Sequence, residues 1–375
     1  MARPQLATAF TWVWVLAAGL LVIPVVFQAA PQPSDYRVIR NIPLGGEGNW
    51  DYVTVDAEAK RVYIPRYGHI QVVDEVTGKL VGDIASVPDS KGVAVAPEFN
   101  RGFVTGNDPE PSARIYLFDL KTLQVTSTLA PPGAKHSDSI TYDPVSKRAF
   151  INTALSNNAQ AVDAATGKLA GTVTLPGRPE QAVPDGKGSI FVNIVDKGEV
   201  AEYDTRTFMV KNTWPSDPCL RGSGIAMDRA HRRLFISCQG QADPQRDDPA
   251  TVSKNLMVVM NADNGKVVAS IHIGIGADGA AFDPGTGDVF TTCRDSGDGK
   301  HGATYIFHQD SPDRYSKVAE VQTIYGARTI TLDPKTHHIF SIATEQNDPL
   351  PATADNPHPR PKPVRSTFEL VEIGR

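Results

Sequence analysis

No run of lysine or arginine occurs after the first thirty residues, and the formal net charge is −5. A protein that grips phosphates through its surface usually carries a basic stripe, so this balance argues against a nucleic-acid partner. Catalytic signatures are missing too. There is no HExxH for zinc and no CxxCH for covalent haem. No GxSxG elbow, P-loop or dinucleotide fingerprint stands in a strand–helix setting either. Cysteine is scarce, with three residues in 375. The N-terminus has neither a twin-arginine pair nor a lipobox cysteine.

The start of the chain differs in kind from the rest. Arg3 supplies one positive charge, and an apolar run follows from about Phe10 to Phe27, ending in Ala29-Ala30 before Pro31. This reads as an export signal cleaved near Ala30. Gln28 is a poor residue two places before that site, so residues 1–30 are expected to be either a signal peptide or a retained membrane anchor. Residues 31–375 then form the exported domain, periplasmic or extracellular, touching the membrane only through an uncleaved anchor. Gly 31 and Pro 29 imply many tight turns, which suits an all-β fold.

Internal repetition decides the fold class. Short strands with a central aromatic recur at Tyr63, Phe103, Phe150, Phe191, Phe235, Phe290 and Phe340, at the spacing of propeller blades. Most are preceded by a strand ending in Asp, as in Tyr52–Asp56, Ile140–Asp143, Ile225–Asp228, Ala280–Asp283 and Ile330–Asp333. Such an Asp bonds its own backbone and opens a turn. A third strand and a turn such as Glu75-Val-Thr-Gly78-Lys follow, the Gly supplying the positive φ of a bulged hairpin. The last repeat has only three strands, and the lone strand Tyr36–Leu44 supplies its fourth, removing the open edges. The expectation is a seven-bladed β-propeller of four-stranded antiparallel blades with almost no helix.

The repeat core, strand–Asp–turn–strand–loop–strand–(D/N)xxTGK–strand, resembles the YVTN/YncE-like β-propeller proteins over residues 36–375. Gly48-Asn-Trp-Asp-Tyr52, Ala226–Arg233, Leu256–Met260 and Ala281–Gly287 resemble an exported bacterial branch of that family. The resemblance implies an exported propeller without an assigned reaction, and its prototype is associated with single-stranded DNA. It brings no catalytic residues with it, because fold does not imply function.

The loops that lead into the first strands share one face with those between second and third strands. On it fall Asn49-Trp50-Asp51, Ser90-Lys91, His136-Ser-Asp138, Pro179-Glu180, Arg221-Gly-Ser223, Asp278 and Arg328. Asp51, Asp138, Glu180 and Asp278 are expected to form a partial acidic ring at the channel mouth, with His136 beside it and Arg328 as counter-charge. Such oxygens suit a divalent ion, for which Asp51, Glu180 and Asp278 are the candidate ligands, or a basic or polyhydroxylated ligand. They also suit plain solvated strand ends. Trp50 is either a ligand platform or an aromatic packed over the entrance. The longest insertions, Gly240–Lys254, Arg294–Gly302 and the proline-rich Glu345–Arg365, belong to this face.

Cys219 and Cys238 bracket two strands of the fifth blade at the same end and are expected to form a disulfide, with Cys293 left as a packed thiol. His231, His337 and His338 fall on the opposite face and are expected to be solvated; His69, His136, His301 and His358 belong to the loop face. The leading functional expectation is a monomeric binding or scaffold propeller for a small ligand, a glycan or an envelope protein, with no cofactor required. A metal-dependent hydrolase or lactonase at the channel mouth, and single-stranded DNA binding, stand behind it.

Overall fold

The computed structural model describes Met1 and residues 35–47, 49–239, 255–347, 351, 353 and 363–375. The chain divides into the units Met1–Gln32 and Pro33–Arg375, and the export segment expected over residues 1–30 lies outside the described residues, Met1 apart.

Seven four-stranded antiparallel sheets follow one another along the second unit. Blade 1 comprises Thr54–Asp56, Arg61–Pro65, Ile70–Asp74 and Leu80–Ile84. Blade 2 comprises Val93–Ala96, Arg101–Asn107, Ala113–Asp119 and Val125–Leu129. Blade 3 comprises Ser137–Asp143, Arg148–Thr153, Asn158–Asp163 and Leu169–Thr174. Blade 4 comprises Pro179–Pro184, Ser189–Ile194, Glu199–Asp204 and Val210–Pro215. Blade 5 comprises Gly222–Asp228, Arg233–Cys238, Leu256–Asn261 and Val267–His272. Blade 6 comprises Ile275–Asp283, Asp288–Asp295, His301–Ser311 and Arg314–Ile324. Blade 7 takes Ile330–Asp333, His338–Ala343 and Glu369–Gly374 from the C-terminal end and its outer strand, Arg37–Pro43, from the N-terminal end. The first strand of each blade touches that of the next, and blade 7 returns to blade 1, so the seven inner strands close a ring.

The seven repeat aromatics are 0–1% exposed and fill the clefts between blades, where burial of each large side chain contributes about 2–3 kcal/mol. The turn after each inner strand is held by its terminal Asp. Asp143, fully buried, accepts from the Val145 and Ser146 amides at 3.2 and 2.9 Å, and Asp56, Asp185, Asp228, Asp283 and Asp333 cap their turns likewise. Blade 2 lacks the Asp; there the 3-10 turn Pro97–Phe99, the one helical turn among the described residues, does the work. Gly78, Gly167 and Gly265 adopt φ of 69° to 71° in the outer hairpins, and the pairing beside them is bulged.

Closure is antiparallel, from Arg37 opposite Gly374 to Pro43 opposite Glu369. Buried Asp288 ties the two closing segments together, accepting from the Tyr36 hydroxyl and the Arg375 guanidinium, each at 2.8 Å. Two details differ from the sequence expectation. Inner strands of blades 3, 5 and 6 begin earlier than the apolar pattern suggests, at Ser137, Gly222 and Ile275. Arg294–Gly302 is not a long loop, because the strands of blade 6 extend into it and leave only residues 296–300 between them. The histidines of the opposite face are partly exposed, as expected, but each is also tethered: His231, His337 and His338 bond Asp228, Asp283 and Glu372 at 2.7, 2.7 and 2.8 Å.

Candidate functional site

Counting back from the inner-strand ends gives the site its register. Five residues before Asp56, Ala96, Asp143, Asp185, Asp228, Asp283 and Asp333 stand Asp51, Lys91, Asp138, Glu180, Ser223, Asp278 and Arg328, one per blade. In blades 3 to 6 this position falls within an irregularity of the inner pairing, between Ser137/Ile140, Pro179/Ala182, Gly222/Ile225 and Ala277/Gly279. A bulge at that point turns a side chain out of the regular alternation. The backbone there is fixed across blades. Thr105 Oγ1, Asn152 Nδ2 and Asn193 Nδ2 donate to the carbonyls of Asp138, Glu180 and Ser223 of the next blade at 2.6, 2.6 and 2.8 Å. Thr292 does the same for Arg328, Thr329 for Asp51 at 2.8 Å, and the Tyr52 amide for Lys91 at 3.0 Å. Six of the seven ring positions therefore have their backbone held by the scaffold.

Around the ring the charges are unevenly distributed. Asp278 is paired with Arg328 (Nε to Oδ2, 3.1 Å) and accepts from the Ser223 hydroxyl. Lys91 donates to Asp89 at 3.1 Å and to the Tyr67 hydroxyl at 2.8 Å. Asp51 lies between Arg328 and Lys91 in blade order, so one arc alternates in sign. On the other arc Asp138 and Glu180 are consecutive, with the neutral Ser223 after them. The Tyr52 side chain of blade 1 reaches to blade 4, donating to Glu180 Oε1 at 3.0 Å, and so spans the channel.

Electrostatics follow from this geometry. Burial, then repulsion from Asp138, pushes Asp51 up to about 7 against the pull of Arg328 and Lys91. Burial raises Asp138 to about 6, Lys91 opposing and Asp278 adding to the rise. Glu180 is held well above the carboxylate range, by burial first and then by Asp138 and Asp278. Burial works against the Lys91 charge, but Asp51, Tyr67 and Asp89 outweigh it and keep the ammonium protonated.

No family model matches the chain, and no curated protein matches it. Among solved structures, a chain from the crystal structure of a mitotic checkpoint complex superposes with a TM-score of 0.68. The match covers 98% of this chain and 99% of that one at 11% identity. The likeness is one of fold.

Of the residues expected at the mouth, Asp51, Asp138, Glu180, Asp278 and Arg328 converge. His136 stands one step outside them, bonded through Nδ1 to Glu110 Oε1 at 2.8 Å. Trp50 is 1% exposed, edge-on to Phe368, with the Arg328 guanidinium 5.1 Å from its ring centroid; it supports that arginine and does not line the opening. Sequence reasoning placed Lys91 and Ser223 on this face without including them in the site, and it missed Tyr52 and Arg178, whose guanidinium opposes the raised pKa of both Asp138 and Glu180. The constant offset from the turn Asp identifies Lys91 and Ser223; nothing local in the sequence signals the reach of Tyr52.

Cys219 and Cys238 form the expected disulfide, Cα to Cα 5.6 Å, and Cys293 is a buried free thiol whose pKa is raised by burial. The insertion Gly240–Lys254, His358 and the proline-rich segment 354–362 lie outside the described residues; the stems of the last insertion meet where Val364 donates to the Glu345 carbonyl at 2.8 Å.

Proposed function

We propose that the chain is an exported binding propeller of the YVTN/YncE-like kind, whose loop face recognises a polar small molecule, a glycan or an envelope protein. One observation carries this reading. Seven equivalent positions, six of them with the backbone fixed by the neighbouring blade, carry Asp, Lys, Asp, Glu, Ser, Asp and Arg, whereas the other end of the same strands is nearly uniform. Burying like-charged carboxylates at such a ring works against folding, and groups held in that condition mark recognition sites. The Asp138–Glu180 arc offers acceptors to a cationic or hydroxyl-rich group, while Arg328 and Lys91 present donors opposite. A hydrolase that holds its ion on the ring fits less well, since Asp278 is engaged by Arg328 and Ser223, and Glu180 by Tyr52.

The test is crosslinking capture from an envelope extract by the full chain. The variants are the ring double Asp138→Asn/Glu180→Gln and an opposite-face control, Glu98→Gln. The reading expects a species taken by the wild type and the control and lost with the ring variant. The same capture by all three would overturn it.

A further inference from the structure

Beside the ring, on the rim between blades 2 and 3, three side chains from three separate segments converge. Asp89 precedes the inner strand of blade 2, Glu110 lies between that blade's second and third strands, and His136 leads into blade 3. One ligand-type atom from each lies within 4.8 Å of the other two, and no other His/Cys/Asp/Glu group among the described residues gathers in this way. We propose that Asp89, Glu110 and His136 form a binding site for a divalent first-row transition metal, separate from the ring.

The donor set supports that class of ion. One imidazole with two carboxylates suits zinc, cobalt, manganese or iron(II), whereas calcium and magnesium favour oxygen alone. Spacing supports it as well. Two ligands about 2.1 Å from one ion and at right angles to each other stand about 3.0 Å apart. His136 Nδ1 and Glu110 Oε1 are 2.8 Å apart, so one edge of the coordination sphere is already at bonding separation, and Asp89 has only to close on it.

The triad also has outer support. Asn107 Nδ2 donates to Asp89 Oδ2 at 2.7 Å, and the Ser137 amide holds Asn107 Oδ1 at 2.7 Å, linking the two blades behind the site. The His136 backbone is bonded on both sides, its amide to Pro111 O at 2.6 Å and its carbonyl to the Ala154 amide at 2.9 Å. Such supporting contacts orient metal ligands and set affinity. Glu110 is about half exposed and His136 less so, leaving one side open to water or a ligand. The Lys91 ammonium, 3.1 Å from Asp89 Oδ1, competes for that carboxylate. The site is accordingly an exchangeable one, and its affinity rises when the Lys91 charge is removed.

The experiment is calorimetric titration of the chelator-treated full chain with Co2+, followed in parallel by the visible absorption of the bound ion. One equivalent is expected to bind, with affinity lowered at least about 10-fold in both His136→Ala and Glu110→Gln and raised in Lys91→Gln. Far-ultraviolet circular dichroism of the metal-free variants separates lost ligation from lost folding. Glu180→Gln is expected to bind as the wild type does, so this result stands or falls apart from the ring. Absence of heat and of absorption up to millimolar Co2+, or binding unchanged in His136→Ala and Glu110→Gln alike, would overturn the proposal.

Discussion

Each inner strand of this propeller has two ends that obey different rules. At the turn end six of seven blades carry Asp, every one of them 0–5% exposed and bonded to the amides of its own turn. At the mouth end, five residues earlier, the side chain changes from blade to blade while the backbone stays clamped. A carboxylate occurs at both, buried at the turn and half-buried at the mouth. At the turn it is stabilised by amides that would otherwise go unbonded, a favourable local exchange. At the mouth it faces other carboxylates and is tolerated only by retaining protons or borrowing Arg328 and Lys91. The same residue type, aspartate, is bonded into the turn at one end and set among other charged side chains at the other.

The strongest challenge to this contrast is Asp143→Ala. It strands two turn amides behind a fully buried side chain, and the expected loss is about 3 kcal/mol in urea unfolding. An equal loss from Asp51→Asn at neutral pH would erase the distinction between the two ends.

Next in size is a pH effect of the opposite sign to the common carboxylate case. Asp51 and Asp138 titrate at about 7 and about 6 in the folded chain against an ordinary 3.8, so the folded state holds protons that the unfolded chain has released. Their contribution is greatest in acid and declines as pH climbs from about 4 through 7. Because the mouth is partly open to water, the expected decline between pH 5 and pH 8 is about 1–3 kcal/mol. Asp51→Asn should flatten the profile, making the variant the more stable protein at pH 8. Urea midpoints at the two pH values decide it, and a parallel profile for the variant would show that Asp51 carries no such strain.

The smallest effect belongs to the ring's neutral member. Ser223→Ala removes one donor to Asp278 but leaves Arg328 in place, so stability should change by less than about 1 kcal/mol in thermal unfolding. A larger loss would make Ser223 part of the scaffold and not of the variable ring.

Much of the architecture was legible in the sequence because it is periodic. The aromatics at Tyr63 through Phe340, the turn aspartates and the orphan strand before Asp51 repeat or complete a pattern, and a pattern can be counted. The Cys219–Cys238 bridge was legible for the same reason, since both residues could be placed on strand ends of one blade. What escaped reading is what the ring brings together across blades. Tyr52 meets Glu180 128 residues away, and Glu110 meets His136 only because a loop of blade 2 leans on blade 3. The early strand starts at Ser137, Gly222 and Ile275 were hidden because bulges interrupt the alternation there. Polar side chains that clamp carbonyls, such as Thr105 and Asn152, look like ordinary strand residues until the neighbouring blade is in place.

Six blades are assembled from continuous chain, but the seventh is not. Arg40 and Glu372, bonded across its outermost pair, stand 332 residues apart. Every other blade gains its four strands by local hairpin steps, whereas this one must search for its last strand across the whole molecule, the slowest kind of contact to form. Until that pairing is made the ring has two loose ends, and the mouth residues of blades 7 and 1, Arg328 and Asp51, have no fixed distance between them. That one non-local pairing thus completes the ring on which the mouth residues sit. Strands Arg37–Pro43 and Glu369–Gly374 act as its clasp.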